Sequence, residues 1–166
     1  VNVSAFGRVG GLVGQNFGGT ISHAYVTGAV QGITSVGGLV GYNGGRDDPE
    51  TGVTFNGDGI ITDSYSTATV TGSSRYPNTS FSYIGGLVGW NRGPSYKILR
   101  SSASGNVSAI NDPAAGTSNS NIGGLVGSNG NGTIADSHAT GNVSVSNNTT
   151  YVGGLTGNNN GARSVI

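Results

Sequence analysis

Asp63, Arg100 and Asp136 each close the same short phrase, in which an ionisable residue follows two positions after an isoleucine: "ITD" at 61–63, "ILR" at 98–100 and "IAD" at 134–136. Carboxylates alternating with a cation are the groups from which polysaccharide-cleaving sites are assembled, and such a row could hold a sugar. The same row could instead be an exposed ladder of ion pairs, each contributing about 0 to 1 kcal/mol. The rest of the chemical inventory is thin, with one glutamate, six aspartates, two histidines and no cysteine. His23 and His138 fall at different places in their phrases, and no HExxH, GxSxG or P-loop pattern occurs. No catalytic residue and no cofactor is therefore expected, and the chain is read as not an enzyme. The densest acidic stretch, "RDDPETG" at 46–52 followed by Asp58, offers the oxygens of Asp47, Asp48, Glu50 and Asp58 to Ca²⁺. Their spacing matches no calcium loop, so a solvated insertion is the simpler reading and no metal site is assigned.

What must position these side chains is a repeat. "GGLVG" begins at Gly10, Gly37, Gly85 and Gly123, and "GGLTG" begins at Gly153. Each of the first four anchors is followed by a second phrase: "ISHAYVTGAV" at 21–30, "ITDSYSTATV" at 61–70, "ILRSSASGNV" at 98–107 and "IADSHATGNV" at 134–143. The anchors are 27, 48, 38 and 30 residues apart, and the excess falls in only two places, before the isoleucine (42–60) and after the closing valine (71–84 and 108–122). Fixed segments with two variable corners describe a solenoid, because stacked strands cannot change length whereas solvent-facing turns can. Glycine, threonine, valine and asparagine without a 3.6-residue apolar period exclude helical coils. The expectation is an all-β, parallel β-helix-like solenoid of about five coils, a single repeat domain over 1–166 with anchors at 10–14, 37–41, 85–89, 123–127 and 153–157. Each coil would have three short sides: a strand around Val9–Val13, a second around Ile21–Thr27 and a third near Val30.

Several positions acquire roles from stacking. Ala24, Ser64, Ser101 and Ser137, with Val26, Ser66, Ala103 and Ala139, are small in every copy and are expected to face a narrow interior. His23, Asp63, Arg100 and Asp136, with Tyr25, Tyr65, Ser102 and His138, would then face out. Asn16, Asn43, Asn91, Asn129 and Asn159 recur two positions after each anchor, as turn formers that can bond coil over coil in a structural ladder. Phe55, Tyr76, Phe81, Tyr83, Trp90 and Tyr96, in or near insertions, could form a surface for a glycan or a receptor. The rank Thr27, Thr67, Ser104 and Thr140 is regular, but its neighbour Ala29, Thr69, Asn106 and Asn142 is not, which argues against ice binding. Asn2, Asn78, Asn106, Asn131, Asn142, Asn147 and Asn148 head glycosylation sequons.

Anchor, asparagine, isoleucine, small residues and closing valine in this order resemble tandem GLUG motifs. Such repeats occur in large bacterial and archaeal surface proteins, in filamentous-haemagglutinin-like adhesins and in the non-catalytic part of immunoglobulin A-cleaving peptidases. The resemblance implies an extracellular or cell-surface setting and a structural or adhesive role. The alternative is a loop-based glycan- or receptor-binding region of a larger adhesin or secreted peptidase. The chain is neutral, with seven scattered Lys and Arg, so nucleic acid is not an expected partner. No apolar run approaches the roughly 20 residues of a membrane span, so insertion is not expected either. Both ends interrupt a coil without a polar cap, which predicts end-to-end self-association or continuation in a longer repeat protein.

Overall fold

The computed structural model describes residues 1–47, 54–55, 57–74, 82–111, 120–146, 151–161 and 165–166, with backbone alone at 46, 47, 54, 55, 74 and 111. The anchors stack in one column. The Leu12 amide donates to the Leu39 carbonyl at 3.0 Å, and Leu39 to Leu87, Leu87 to Leu125 and Leu125 to Leu155 follow at 2.9 Å each. The chain is thus a parallel β-solenoid, with an antiparallel ribbon of Arg46–Asp47 and Thr54–Phe55 on one insertion.

Each full coil has five walls rather than the expected three sides. The first wall stacks Arg8–Gly10, Ser35–Gly37, Ser82–Gly85, Ser120–Gly123 and Tyr151–Gly153. The second stacks Val13–Asn16, Val40–Gly44, Val88–Arg92, Val126–Gly130 and Thr156–Asn160. The third holds Thr20–Ser22, Ile60–Thr62, Lys97–Leu99 and Thr133–Ala135, and the fourth Tyr25–Val26, Tyr65–Ser66, Ser102–Ala103 and His138–Ala139. The fifth holds Asn2–Ser4, Ala29–Gly32, Thr69–Ser74, Val107–Asn111 and Val143–Ser146. The two extra bends have separate causes. One falls at the Gly-Leu step of the anchor, which divides the expected Val9–Val13 strand. The other falls at His23, Asp63, Arg100 and Asp136, whose φ values of 52°, 51°, 44° and 51° turn the chain through the left-handed region.

Like residues from successive coils fill the interior. Val9, Val36, Ile84 and Ile122 form one column, Ile61, Ile98 and Ile134 another, and Val30, Val70 and Val107 a third, all buried in one aliphatic core. Full burial of each such side chain contributes about 1.5–3 kcal/mol. The first coil has a neighbour on one side only, so Leu12 is 53% exposed where Leu39 is fully covered.

The anchor glycines are demanded by close approach, at negative or extended φ. A Cβ on the first glycine of any anchor would strike the carbonyl three residues ahead, as at Gly37 against Val40. A Cβ on the second would strike the same glycine's carbonyl in the next coil, and at Gly38 also the Ser66 hydroxyl across the interior. The third glycine sits against the first wall of the preceding coil, where a Cβ on Gly41 would come within 2.6 Å of the Val9 amide nitrogen. Gly154 occupies the second position of the last anchor and meets nothing within 4 Å, because no further coil lies over it. At the second glycine the steric demand therefore comes from stacking, whereas at the first it comes also from the anchor's own bend, since a Cβ on Gly153 would still meet the Thr156 carbonyl. Gly86→Ala, which would press on Gly124 and Ala103, is expected to destabilise by about 3 kcal/mol or more. Gly154→Ala in dilute solution should stay within about 0.5 kcal/mol of wild type. Urea unfolding midpoints of the two variants compare them directly.

Candidate functional site

The five recurring asparagines form one hydrogen-bonded ladder. Nδ2 of Asn16 donates to Oδ1 of Asn43 at 2.9 Å, and the steps Asn43 to Asn91, Asn91 to Asn129 and Asn129 to Asn159 are 2.8 Å each. The second proton of each Nδ2 goes to a backbone carbonyl at the far side of the turn: Gly19 at 2.7 Å, Gly59 at 3.1 Å, Tyr96 at 3.4 Å and Gly132 at 2.8 Å. Those four carbonyls belong to the residues just before the third wall, whose strands pair in register. Turns of very different length therefore deliver the chain to one place. The central rungs Asn43, Asn91 and Asn129 are fully buried, where an unmade amide bond is expensive.

A second ladder repairs the left-handed corner. Oγ of Ser64 accepts from the Ala24 amide at 3.1 Å, Ser101 from Ser64 at 3.2 Å and Ser137 from Ser101 at 3.1 Å. Each hydroxyl donates to the carbonyl two residues back, Thr62, Leu99 or Ala135, at 2.7–2.8 Å. These positions do face inward, but their smallness is only half the reason for serine. The hydroxyl splices a backbone ladder that the corner would otherwise break. Its sequence signal is the persistence of Ser where Ala or Gly would fill the space as well.

The charged column lies on that corner. Arg100 places Nε 2.7 Å from Oδ1 and Nη2 2.8 Å from Oδ2 of Asp63, and Nη2 also reaches the Thr62 hydroxyl at 2.8 Å. The Arg100 hydrogen bonds, with a further one from Thr62, hold the Asp63 carboxyl well below the usual carboxylate range. Arg100 closes on Asp63, while Asp136 acts on it only as a more distant charge. A partly exposed carboxylate clamped in this way is a poor proton donor at neutral pH. His23 continues the column on the first coil, and His138 stands on the fourth wall, both exposed. Tyr25 and Tyr65 face out and stack, with centroids 5.3 Å apart and planes 10° from parallel.

Among the calcium candidates, Asp58 is exposed, while Asp48, Glu50 and the Asp47 side chain lie outside the described residues. Among the described residues no three His, Asp or Glu side chains converge. Asn2, Asn106, Asn131 and Asn142 are exposed; Asn78, Asn147 and Asn148 lie outside the described residues, as do Tyr76, Phe81 and the Phe55 side chain. Tyr96, expected at a surface, is a core residue. Its ring covers Gly59 and Gly93, and its hydroxyl donates to the Phe17 carbonyl at 3.2 Å.

Tyr83 and Trp90 do meet, as part of a cluster apart from the aliphatic core. Their rings stack at 4.4 Å and 19°, Tyr42 tilts against Trp90 at 5.2 Å, and the guanidinium groups of Arg8 and Arg92 lie over Tyr42 and Trp90 at 4.2 and 5.1 Å. Burial pushes the Tyr83 phenol up from its ordinary value, so it remains a neutral hydroxyl. Nothing in the spacing announces this cluster, because its residues differ from coil to coil.

Two expectations follow. Asn91→Ala leaves Asn43 and Asn129 without their shared rung and should cost about 2–4 kcal/mol, whereas Asn16→Ala, at the end of the ladder, should cost about half as much in chemical denaturation. Because the folded-state pKa of Asp63 is depressed, its contribution is present above the unfolded carboxylate value of about 3.9 and is lost as pH falls through the acid range. NMR titration of Arg100→Ala should return Asp63 to the ordinary carboxylate range, with a small loss of stability at neutral pH that disappears in acid.

Comparison with known proteins gives one family. The model of the GLUG motif matches residues 7–31 and 118–144, which lie on the first and fourth coils. No curated protein and no solved structure matches the chain. The chain carries the GLUG motif in these two segments, and the other coils set the same glycines, leucine and asparagine in the same stacked columns.

Proposed function

We propose that this chain is a non-catalytic, extracellular structural and adhesive module, a stiff segment of a cell-surface protein whose coil edges accept further coils end to end. The observation that carries the reading is the asparagine ladder through all five coils, which ties every turn to the next along the long axis and uses buried side chains for scaffolding alone. The GLUG motif supports a surface-associated repeat module. The clamped Asp63 carboxylate argues against acid–base chemistry on the charged column. Exposed sequon asparagines Asn2, Asn106, Asn131 and Asn142 are compatible with decoration of such a surface. The open backbone over Gly154 would fit another coil of the same kind, either later in a parent chain or from a second molecule.

An antibody to the folded chain is expected to label intact cells of the source organism without permeabilisation. Labelling only after permeabilisation would overturn the surface assignment. Concentrated chain should lengthen into rods under the electron microscope, and Gly154→Val should stop the lengthening without unfolding the single chain. Wild-type rods that stay one chain long would remove end-to-end joining of separate molecules. Cleavage of any polysaccharide that is lost in Asp136→Ala would remove the non-catalytic reading.

A further inference from the structure

Two columns meet in a cleft between the first and second walls. From the first wall come Arg8, Ser35, Tyr83, Asn121 and Tyr151, and from the second Gln15, Tyr42, Trp90, Ser128 and Asn158. On the third coil the meeting pair is Tyr83 and Trp90, two stacked rings. One coil further, about 4.8 Å along the axis, the pair is Asn121 and Ser128. That drop in side-chain size opens a cavity of about 330 Å³, lined among others by Tyr83, Trp90, Arg92, Asn121, Ser128 and Asn158. Asn121 is 4% exposed, and its Oδ1 is buried with no hydrogen-bond partner among the described residues. A buried amide oxygen left unmade costs about 1–3 kcal/mol, which a ligand hydroxyl donating to it would recover.

We propose that this cavity is a binding site for a neutral saccharide. The lining combines an aromatic pair for the C–H face of a sugar ring with amide and hydroxyl groups that can exchange hydrogen bonds with its hydroxyls. Among the described residues no carboxylate lines it. A cationic ligand would meet Arg92, already over the Trp90 ring, and a wholly apolar ligand would leave Asn121, Ser128 and Asn158 unpaired. Its volume lies at the lower end of small-ligand sites and suits a short oligosaccharide segment. The site lies on the coils themselves, on residues of the third, fourth and fifth turns. It is independent of the scaffold role, which stands whether or not a sugar binds.

Trp90 is the chain's single tryptophan, so its fluorescence reports on this cavity alone. A glycan array of neutral and acidic oligosaccharides, probed with the purified chain, is expected to retain a neutral class. Titration of the retained glycan should shift Trp90 emission saturably. Asn121→Ala should weaken binding about tenfold with an unchanged melting midpoint, since the Oδ1 it removes has no partner among the described residues. Ser128→Trp continues the Tyr42 and Trp90 column into the cavity, so it should fold and abolish binding. Binding in Ser128→Trp at wild-type affinity, retention of acidic glycans alone, or a folded wild-type chain that retains nothing would each overturn the proposal.

Discussion

The primary amide of asparagine has two N–H donors on one planar nitrogen, diverging by about 120°, and this fold uses both. One proton runs along the axis to the next rung and the other crosses the turn to the carbonyl that opens the third wall. The crossing spans three residues at Asn16, 16 at Asn43, five at Asn91 and three at Asn129. A loop can grow between these two points without moving either, because the amide holds both ends. All the rungs point the same way, so their dipoles reinforce one another in a dry interior. No shorter or charged side chain does this: serine does not reach, and aspartate has no proton to give to its neighbour.

Stacking also explains why so few residues are charged. Identical residues at one repeat position lie about 4.8 Å apart. Two like charges at that distance repel by about 1 kcal/mol in water and about 3–4 kcal/mol at the effective dielectric near a protein surface. A faithful repeat can therefore multiply Leu, Val, Ser and Asn down a column but not Lys or Asp. Among the described residues the strongly ionic column obeys the rule by alternating, with Asp63, Arg100 and Asp136 on consecutive coils. Arg100 is the least natural occupant of a left-handed φ among them, and its bidentate contact with Asp63 offsets part of that strain.

The parts of this architecture that were legible in the sequence are those that recur at fixed offsets. The leucine column, the asparagines, the two insertion corners and the inward facing of Ser64, Ser66, Ser101 and Ala103 all follow from periodicity. The number of walls does not, because the bend inside each anchor occurs at a φ that any residue adopts, and its glycines answer both to the carbonyl three residues ahead and to carbonyls in other coils. The corner at His23, Asp63, Arg100 and Asp136 was hidden for the opposite reason. Three different side-chain types share a backbone state that the histidine and the aspartates are inclined to adopt and the arginine is not. Tyr96 looked like loop decoration because it arrives in an insertion, yet it stands where other coils have glycine and fills the space they leave.

A solenoid carries its own alignment, and its columns divide into two kinds. Columns that repeat one residue type are those in which every coil solves the same packing problem, and they belong to the scaffold. The two columns of the side cleft never place one residue type on adjacent coils. Arg8 meets Gln15, Tyr83 stacks on Trp90, and Asn121 adjoins Ser128 beside an opening. These residues lie apart from the aliphatic core, so changing one alters its immediate neighbours without disturbing the register of the stack. The constraint that forbids variation inside the coil thus leaves variation in the cleft inexpensive, and it is there that one copy of the repeat can come to differ in function from the next.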